Sequence, residues 1–236
     1  MPGASPSAVA LVSGGLDSAV AAACVRAEGR TVHALSADYG QRCRAELDAA
    51  RAVAAALGCA SHRVVAVDLR ALGGSALTSE APVPRDRSDA EIGAGVPATY
   101  VPARNTILLA LGLGLAEVVG AEELVIGANA VDYSGYPDCR GPFLAAFEHL
   151  AALATAAGTE RGVRFRVRAP LLELTKAGIV RRGAELGAPL GATMSCYDPV
   201  RDADVFTHCG RCDSCRLRRR GFAEAGVADP TRWAHA

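Results

Sequence analysis

The sequence predicts an α/β protein, a doubly wound parallel sheet carrying a small C-terminal metal-binding subdomain. Three observations predict it. Five short apolar runs alternate with longer helical patterns, the motifs rich in functional groups follow a predicted strand or open a helix, and from about Gly187 cysteine and arginine replace the alanine pattern. Strand and helix in alternation favour a parallel sheet covered on both faces, with ligands beyond the carboxyl ends of the strands. At 236 residues and 50% hydrophobic, the chain can bury one substantial core and a small appendage. One main domain is therefore expected over residues 1–190 and the smaller unit over 191–236. The composition is neither disordered nor membrane-spanning, and a net charge of +0 offers no global field for nucleic acid, so free small molecules are the expected partners. Met1-Pro2-Gly3-Ala4-Ser5-Pro6 lacks a basic segment followed by an apolar core, which makes the cytoplasm the expected location.

Strands are predicted at 8–12, 31–37, 63–67, 123–127 and 163–167, and helices at 18–28, 44–57, 104–119, 143–157 and 176–186. The first strand runs into Ser13-Gly14-Gly15-Leu16-Asp17-Ser18. Two glycines let the backbone approach a ligand, and a helix opening near Asp17 aims unpaired amides at an anion. A plain Gly-Gly turn is the competing interpretation. No Gly-Lys-Ser/Thr ending follows, which excludes a Walker loop. Ser-Gly-Gly-X-Asp-Ser is instead similar to the loop of the N-type ATP pyrophosphatases. That likeness implies that residues 13–18 grip the β,γ-pyrophosphate of ATP and leave the α-phosphorus open to attack.

Between residues 73 and 101 the pattern lapses into Pro, Gly, Ser and charge, long for a connection inside one domain. Either an active-site lid or a flexible surface excursion accounts for it. The strand predicted to end at Gly127 leads into Ala128-Asn129-Ala130-Val131-Asp132-Tyr133-Ser134-Gly135-Tyr136-Pro137-Asp138-Cys139-Arg140. Here tyrosines can stack on a flat heterocycle, Asp132 or Asp138 can accept from an amidine-like edge, and Arg140 can grip a carboxylate with two bonds. Turn chemistry alone also explains Ser-Gly and Pro-Asp.

Lys176 is the only lysine among 25 basic residues. It opens a helix just after Pro170-Leu-Leu-Glu-Leu-Thr175, where its ammonium can reach a site at the strand ends. A chance surface lysine is the bland alternative. Further on, Cys196, Cys209, Cys212 and Cys215 offer four thiolates, three of them spaced at i, i+3 and i+6. Four thiolates suit a closed structural zinc site, an iron–sulfur cluster competes for the same spacing, and His208 is a substitute ligand. The other four cysteines are scattered, so no disulfide framework is expected. Arg216-Leu-Arg-Arg-Arg220 is either a nucleic-acid patch or a solvated helix face.

Seven motifs in order make the resemblance specific. With residues 13–18, they are Asp38-Tyr39-Gly40-Gln41-Arg42, Tyr100-Val101-Pro102-Ala103-Arg104-Asn105, Asp132 through Arg140, Pro170 through Lys176, Ser195-Cys196-Tyr197 and the cysteine triplet. Together they resemble the 7-cyano-7-deazaguanine synthase family, from near the first strand to about Phe222. The resemblance implies an adenine nucleotide alpha hydrolase-like, Rossmann-like sheet, a homodimer, and ATP-dependent conversion of 7-carboxy-7-deazaguanine and ammonia to the nitrile through an acyl adenylate and an amide. It further implies Mg²⁺ placed by Asp17, with Lys176 and Arg104 neutralising charge at phosphorus, and zinc on the four cysteines. Tyr39, Gln41, Arg42, Asn105, Asp132, Tyr133, Tyr136, Asp138 and Arg140 are the substrate-binding residues it implies.

Two features depart from the family pattern: Cys43 stands where histidine is usual, and the interval from Cys196 to Cys209 is long. Loop length between ligands is permissive, so the metal site is expected to survive. The competing functions are a diverged paralogue that stops at the amide or passes the activated deazaguanine to another acceptor, a tRNA-thiolating pyrophosphatase, and a nucleotide-binding or zinc-ribbon module that recognises nucleic acid.

Overall fold

The computed structural model describes residues 5–41, 45–92, 95–129, 136–202 and 205–234. Five parallel strands form its main sheet: β1 Ser7–Leu11, β2 Thr31–Asp38, β3 Ser61–Ala66, β4 Glu123–Val125 and β5 Arg166–Arg168, in the order β3-β2-β1-β4-β5. The order reverses beside β1, and the crevice at that switch point is where a doubly wound sheet binds ligands. The central strand is buried on both faces. Ala8, Ala10 and Val12 point into one core cluster and Val9 into the other, as the two-residue period of a strand requires.

Helix α1 (Leu16–Ala27) fills the first cluster with small residues. Also described are α2 (Ala45–Ala56), α3 (Asp89–Ile92) and α4 (Arg104–Val119), of which α4 packs on the opposite face of the sheet. Gly112 lets α4 lie close, since a Cβ there would stand 3.3 Å from Leu11.

The helix expected over 143–157 is two helices, α5 (Gly141–Ala154) and α6 (Ala156–Arg161). Thr155 divides them, its Oγ1 accepting from the Gly158 amide at 3.0 Å as the N-cap of α6. The last strand starts later than the apolar run predicts, because the Val163 amide still donates to Ala157 and closes α6.

Helix α7 (Lys176–Glu185) is capped by Thr175, whose Oγ1 accepts from Gly178 at 3.2 Å. The long interval between Cys196 and Cys209 contains an antiparallel pair, β6 (Val200–Asp202) and β7 (Val205–Thr207). After it comes α8 (Asp213–Ala225). The excursion over 73–101 packs against this C-terminal region. Leu77, Val83 and Val101 share a third core cluster with Tyr39, Leu69 and the four cysteines. Arg87 grips Asp213 at 2.6 Å, and Arg85 and Asp86 pair with Asp198 and Arg211.

Candidate active site

The loop after β1 binds itself into a tight turn before α1. Ser18 Oγ donates to the Gly15 carbonyl at 3.0 Å and accepts from the Ser13 amide at 3.2 Å. Gly14 has φ +87°, and a Cβ there would meet the Glu46 carbonyl at 2.2 Å, so this position requires glycine on two grounds. The Met194 amide donates to the Gly14 carbonyl at 2.9 Å, tying the loop to the C-terminal region. The amides opening α1 have no acceptor within the helix, which leaves them to an anion.

Lys176 reaches this turn from α7. Its Nζ lies 2.8 Å and 2.6 Å from the two Asp17 oxygens, and Asn129 Nδ2 donates to Asp17 Oδ2 at 3.0 Å. Gly221 of α8 makes room for it, since a Cβ there would fall 2.5 Å from Lys176 Cγ. The lone lysine thus lies between Asp17 of α1 and the C-terminal helix.

These groups open onto a cavity of about 220 Å³. Ser13, Gly15, Leu16, Asp17, Ser18, Tyr39, Arg104, Asn105, Tyr136 and Lys176 all line it, bringing together residues from five of the sequence motifs. Gly14 turns towards α2 instead, and Gln41 lines a smaller adjoining cavity while accepting from the Tyr39 amide at 2.9 Å. Asp138 is buried, and its Oδ2 accepts from the Asn105 amide at 2.9 Å, in the first turn of α4. Its Oδ1 has no partner among the described residues. Arg140 is exposed and stands outside the cavity lining. Arg42, Asp132 and Tyr133, like Cys43, lie outside the described residues.

Arg104 follows Ala103, a non-glycine residue at φ +53°, an unusual backbone that fixes where α4 begins. Burial works against its charge, but Tyr39, Tyr136, Tyr197 and Glu46 outweigh burial and raise its pKa. Glu46 escapes sequence reasoning, because an acid in a helix's first turn reads as an ordinary dipole partner. In the structure it lines the cavity, and burial pushes its carboxyl up to about 7 against the lowering effect of Arg104. Arg218 escapes it too, hidden in a basic run. Only 1% exposed, it lines the cavity and donates to Thr193 Oγ1 at 2.7 Å, Ser195 Oγ at 3.1 Å and the Leu190 carbonyl at 3.0 Å.

The four cysteine sulfurs lie within 4.8 Å of one another, and all four residues are buried. Cys196 and Cys212 are 4.0 Å apart and Cys209 and Cys215 3.9 Å. Tetrahedral zinc, with bonds of about 2.3 Å, separates its sulfurs by about 3.8 Å, so the cluster fits zinc. Backbone amides of Cys209 and Arg211 donate to Cys196 and Cys209 sulfurs at 3.3 and 3.4 Å, as a shell supporting thiolates does. With no cation, neighbouring Cys212 and Cys215 and then burial push the Cys196 thiol up, a cost that a bound cation removes. His208 is not a ligand. Its Nε2 accepts from the Ser195 amide at 3.1 Å and its ring meets the edge of Trp233, and burial lowers its pKa to about 4.

The sequence profile described as queuosine biosynthesis protein QueC matches residues 7–226. The chain belongs to that family. A 7-cyano-7-deazaguanine synthase of Anaeromyxobacter dehalogenans is 60% identical over 96% of this chain and 95% of its own length. The Myxococcus xanthus protein of the same name is 56% identical over 96% of both chains. Among solved structures, an NMN synthetase from Francisella tularensis superposes with a TM-score of 0.49 at 16% identity, over 95% of this chain and 79% of that one. Family membership ties the chain to queuosine biosynthesis. Among the described residues no helix is long and apolar enough to cross a membrane.

Proposed function

We propose that this chain is a 7-cyano-7-deazaguanine synthase, converting 7-carboxy-7-deazaguanine, ammonia and ATP to the nitrile. The observation that carries the proposal is the convergence of Ser13, Gly15, Asp17, Ser18, Lys176 and Arg104 on one cavity. A carboxylate is a poor acyl donor because its leaving group would be oxide. Transfer of AMP to it supplies a good leaving group, which ammonia displaces to give the amide. Adenylating the amide oxygen then lets that oxygen depart with AMP, and one adenylation site serves both halves.

No protein nucleophile is required. Positioning and charge stabilisation do the work: the amides opening α1 hold pyrophosphate, while Lys176 and Arg104 offset the charge that builds at phosphorus. Mg²⁺ at Asp17 would supply further neutralisation of the phosphates. Tyr39, Tyr136 and Asn105 line the same cavity, which supports reading them as the residues that surround the deazapurine. The four cysteines would hold a structural zinc that fastens the C-terminal wall. The reading carries with it a cytoplasmic enzyme acting on free small molecules and, from the family resemblance, a homodimer. No observation favours tRNA thiolation or a paralogue that stops at the amide.

Purified protein given the acid, Mg-ATP and ammonium should yield the nitrile by mass spectrometry. Acid returned untouched would refute the assignment, and accumulation of the amide alone would mark a paralogue lacking the second half.

A further inference from the structure

The synthase reaction removes every proton from a single atom. Nitrogen arrives as ammonium with four protons and leaves in the nitrile with none. In the first half, acyl adenylate and ammonium give amide, AMP and two protons. In the second, the adenylated amide gives nitrile, AMP and two protons more. A base beside that nitrogen would serve both halves, and none of the residues assigned above supplies one: Lys176 and Arg104 are cations, and Asp17 is engaged by Lys176 and Asn129.

On the synthase reading, we propose that Glu46 is the general base that takes these protons, and that the cavity adjoining it is the ammonia subsite. Glu46 lines both the main cavity and a second of about 50 Å³, together with Leu11, Ser13, Tyr39 and Leu108. The smaller cavity has room for water-sized molecules but not for a purine. Leu11, Val12, Leu35, Ala37, Leu47 and Leu108 form most of its wall, a surface that holds neutral ammonia once Glu46, at its edge, has taken the first proton from ammonium.

The start of α2 is pressed onto the 13–18 loop at Gly14, which fixes the Glu46 backbone relative to that loop. Among the described residues no hydrogen bond reaches its carboxylate. Among the described residues the charge facing it is Arg104 of α4, beside the phenols of Tyr39, Tyr136 and Tyr197, and Asp17, Lys176 and Arg218 complete the charged lining of the shared cavity. Burial raises the Glu46 carboxyl to about 7, which suits a base that must both accept a proton and release it to solvent near neutrality.

The test compares Glu46→Gln with the wild type in three assays: acid-dependent exchange of pyrophosphate into ATP, amide formation from ammonium, and hydroxamate formation from hydroxylamine, an amine already neutral at neutral pH. Glu46→Gln should retain exchange and hydroxamate formation within a few-fold while amide formation falls by about 10²–10⁴-fold. At fixed free ammonia, the wild-type amide rate should rise through pH 7 and the variant's should not. Wild-type amide formation from ammonium in the variant would overturn the proposal. So would parallel loss of all three activities, which would make Glu46 a structural residue. Absence of exchange in the wild type would refute the synthase reading itself, a failure distinguishable from that of Glu46.

Discussion

The two walls of the cleft rest on different physics. On the sheet side, the loop over residues 13–18 joins a strand and a helix whose apolar residues are almost wholly buried, so local sequence and core packing hold it together. The opposite wall, from Met194 through α8, gathers four thiols, a buried arginine and ion pairs to the 73–101 excursion around a much smaller core. The first wall follows from burial. The second depends on four clustered thiols that fit a cation and on polar contacts between segments far apart in sequence, and it should be possible to loosen it while leaving the sheet folded.

Removing a ligand should separate the two most sharply. Cys212→Ser should abolish metal binding, worth about 10–16 kcal/mol in small zinc modules, and activity with it, while far-UV circular dichroism keeps the α/β signal. Retained metal and activity would contradict the division. Gly221→Ala tests the joint between the walls, because the added methyl must displace the Lys176 stem rather than a free side-chain end. It should cut turnover by about 10²-fold, the cost of a misplacement near 1 Å, with a small change in melting temperature. A weaker effect is expected of Arg87→Ala, which removes a bidentate grip on Asp213 and should lower stability by about 1.5–3 kcal/mol, read by urea unfolding. Arg211→Ala, losing an exposed pair with Asp86, should leave unfolding unchanged and serves as the surface control.

The same contrast explains what could be read from sequence. The strands and most helices were legible because period-two and helical apolar patterns report burial directly. So was the gathering of Ser13, Asp17, Arg104 and Lys176 at one cavity and of the four cysteines in one cluster, because their motifs lie at strand ends and helix starts or have ligand spacing. Thr155 was not read as a boundary, because its capping bond competes with an unbroken apolar pattern. The sequence offers Asp138 as a base-recognition group, and only the structure shows that one of its oxygens also accepts a bond at the start of α4, a contact between residues 33 positions apart. Glu46 and Arg218 were missed for the same reason. Their surroundings come from other elements, and nothing adjacent in sequence marks them as cavity residues.

The central claim is that one site adenylates twice, and counting AMP against nitrile tests it most directly. Starting from 7-carboxy-7-deazaguanine with ammonium, the account predicts about two AMP per nitrile; starting from the amide without ammonium, it predicts about one, with the acid competing against the amide for the same site. An amide that is inert, or one whose conversion the acid does not inhibit, would contradict it.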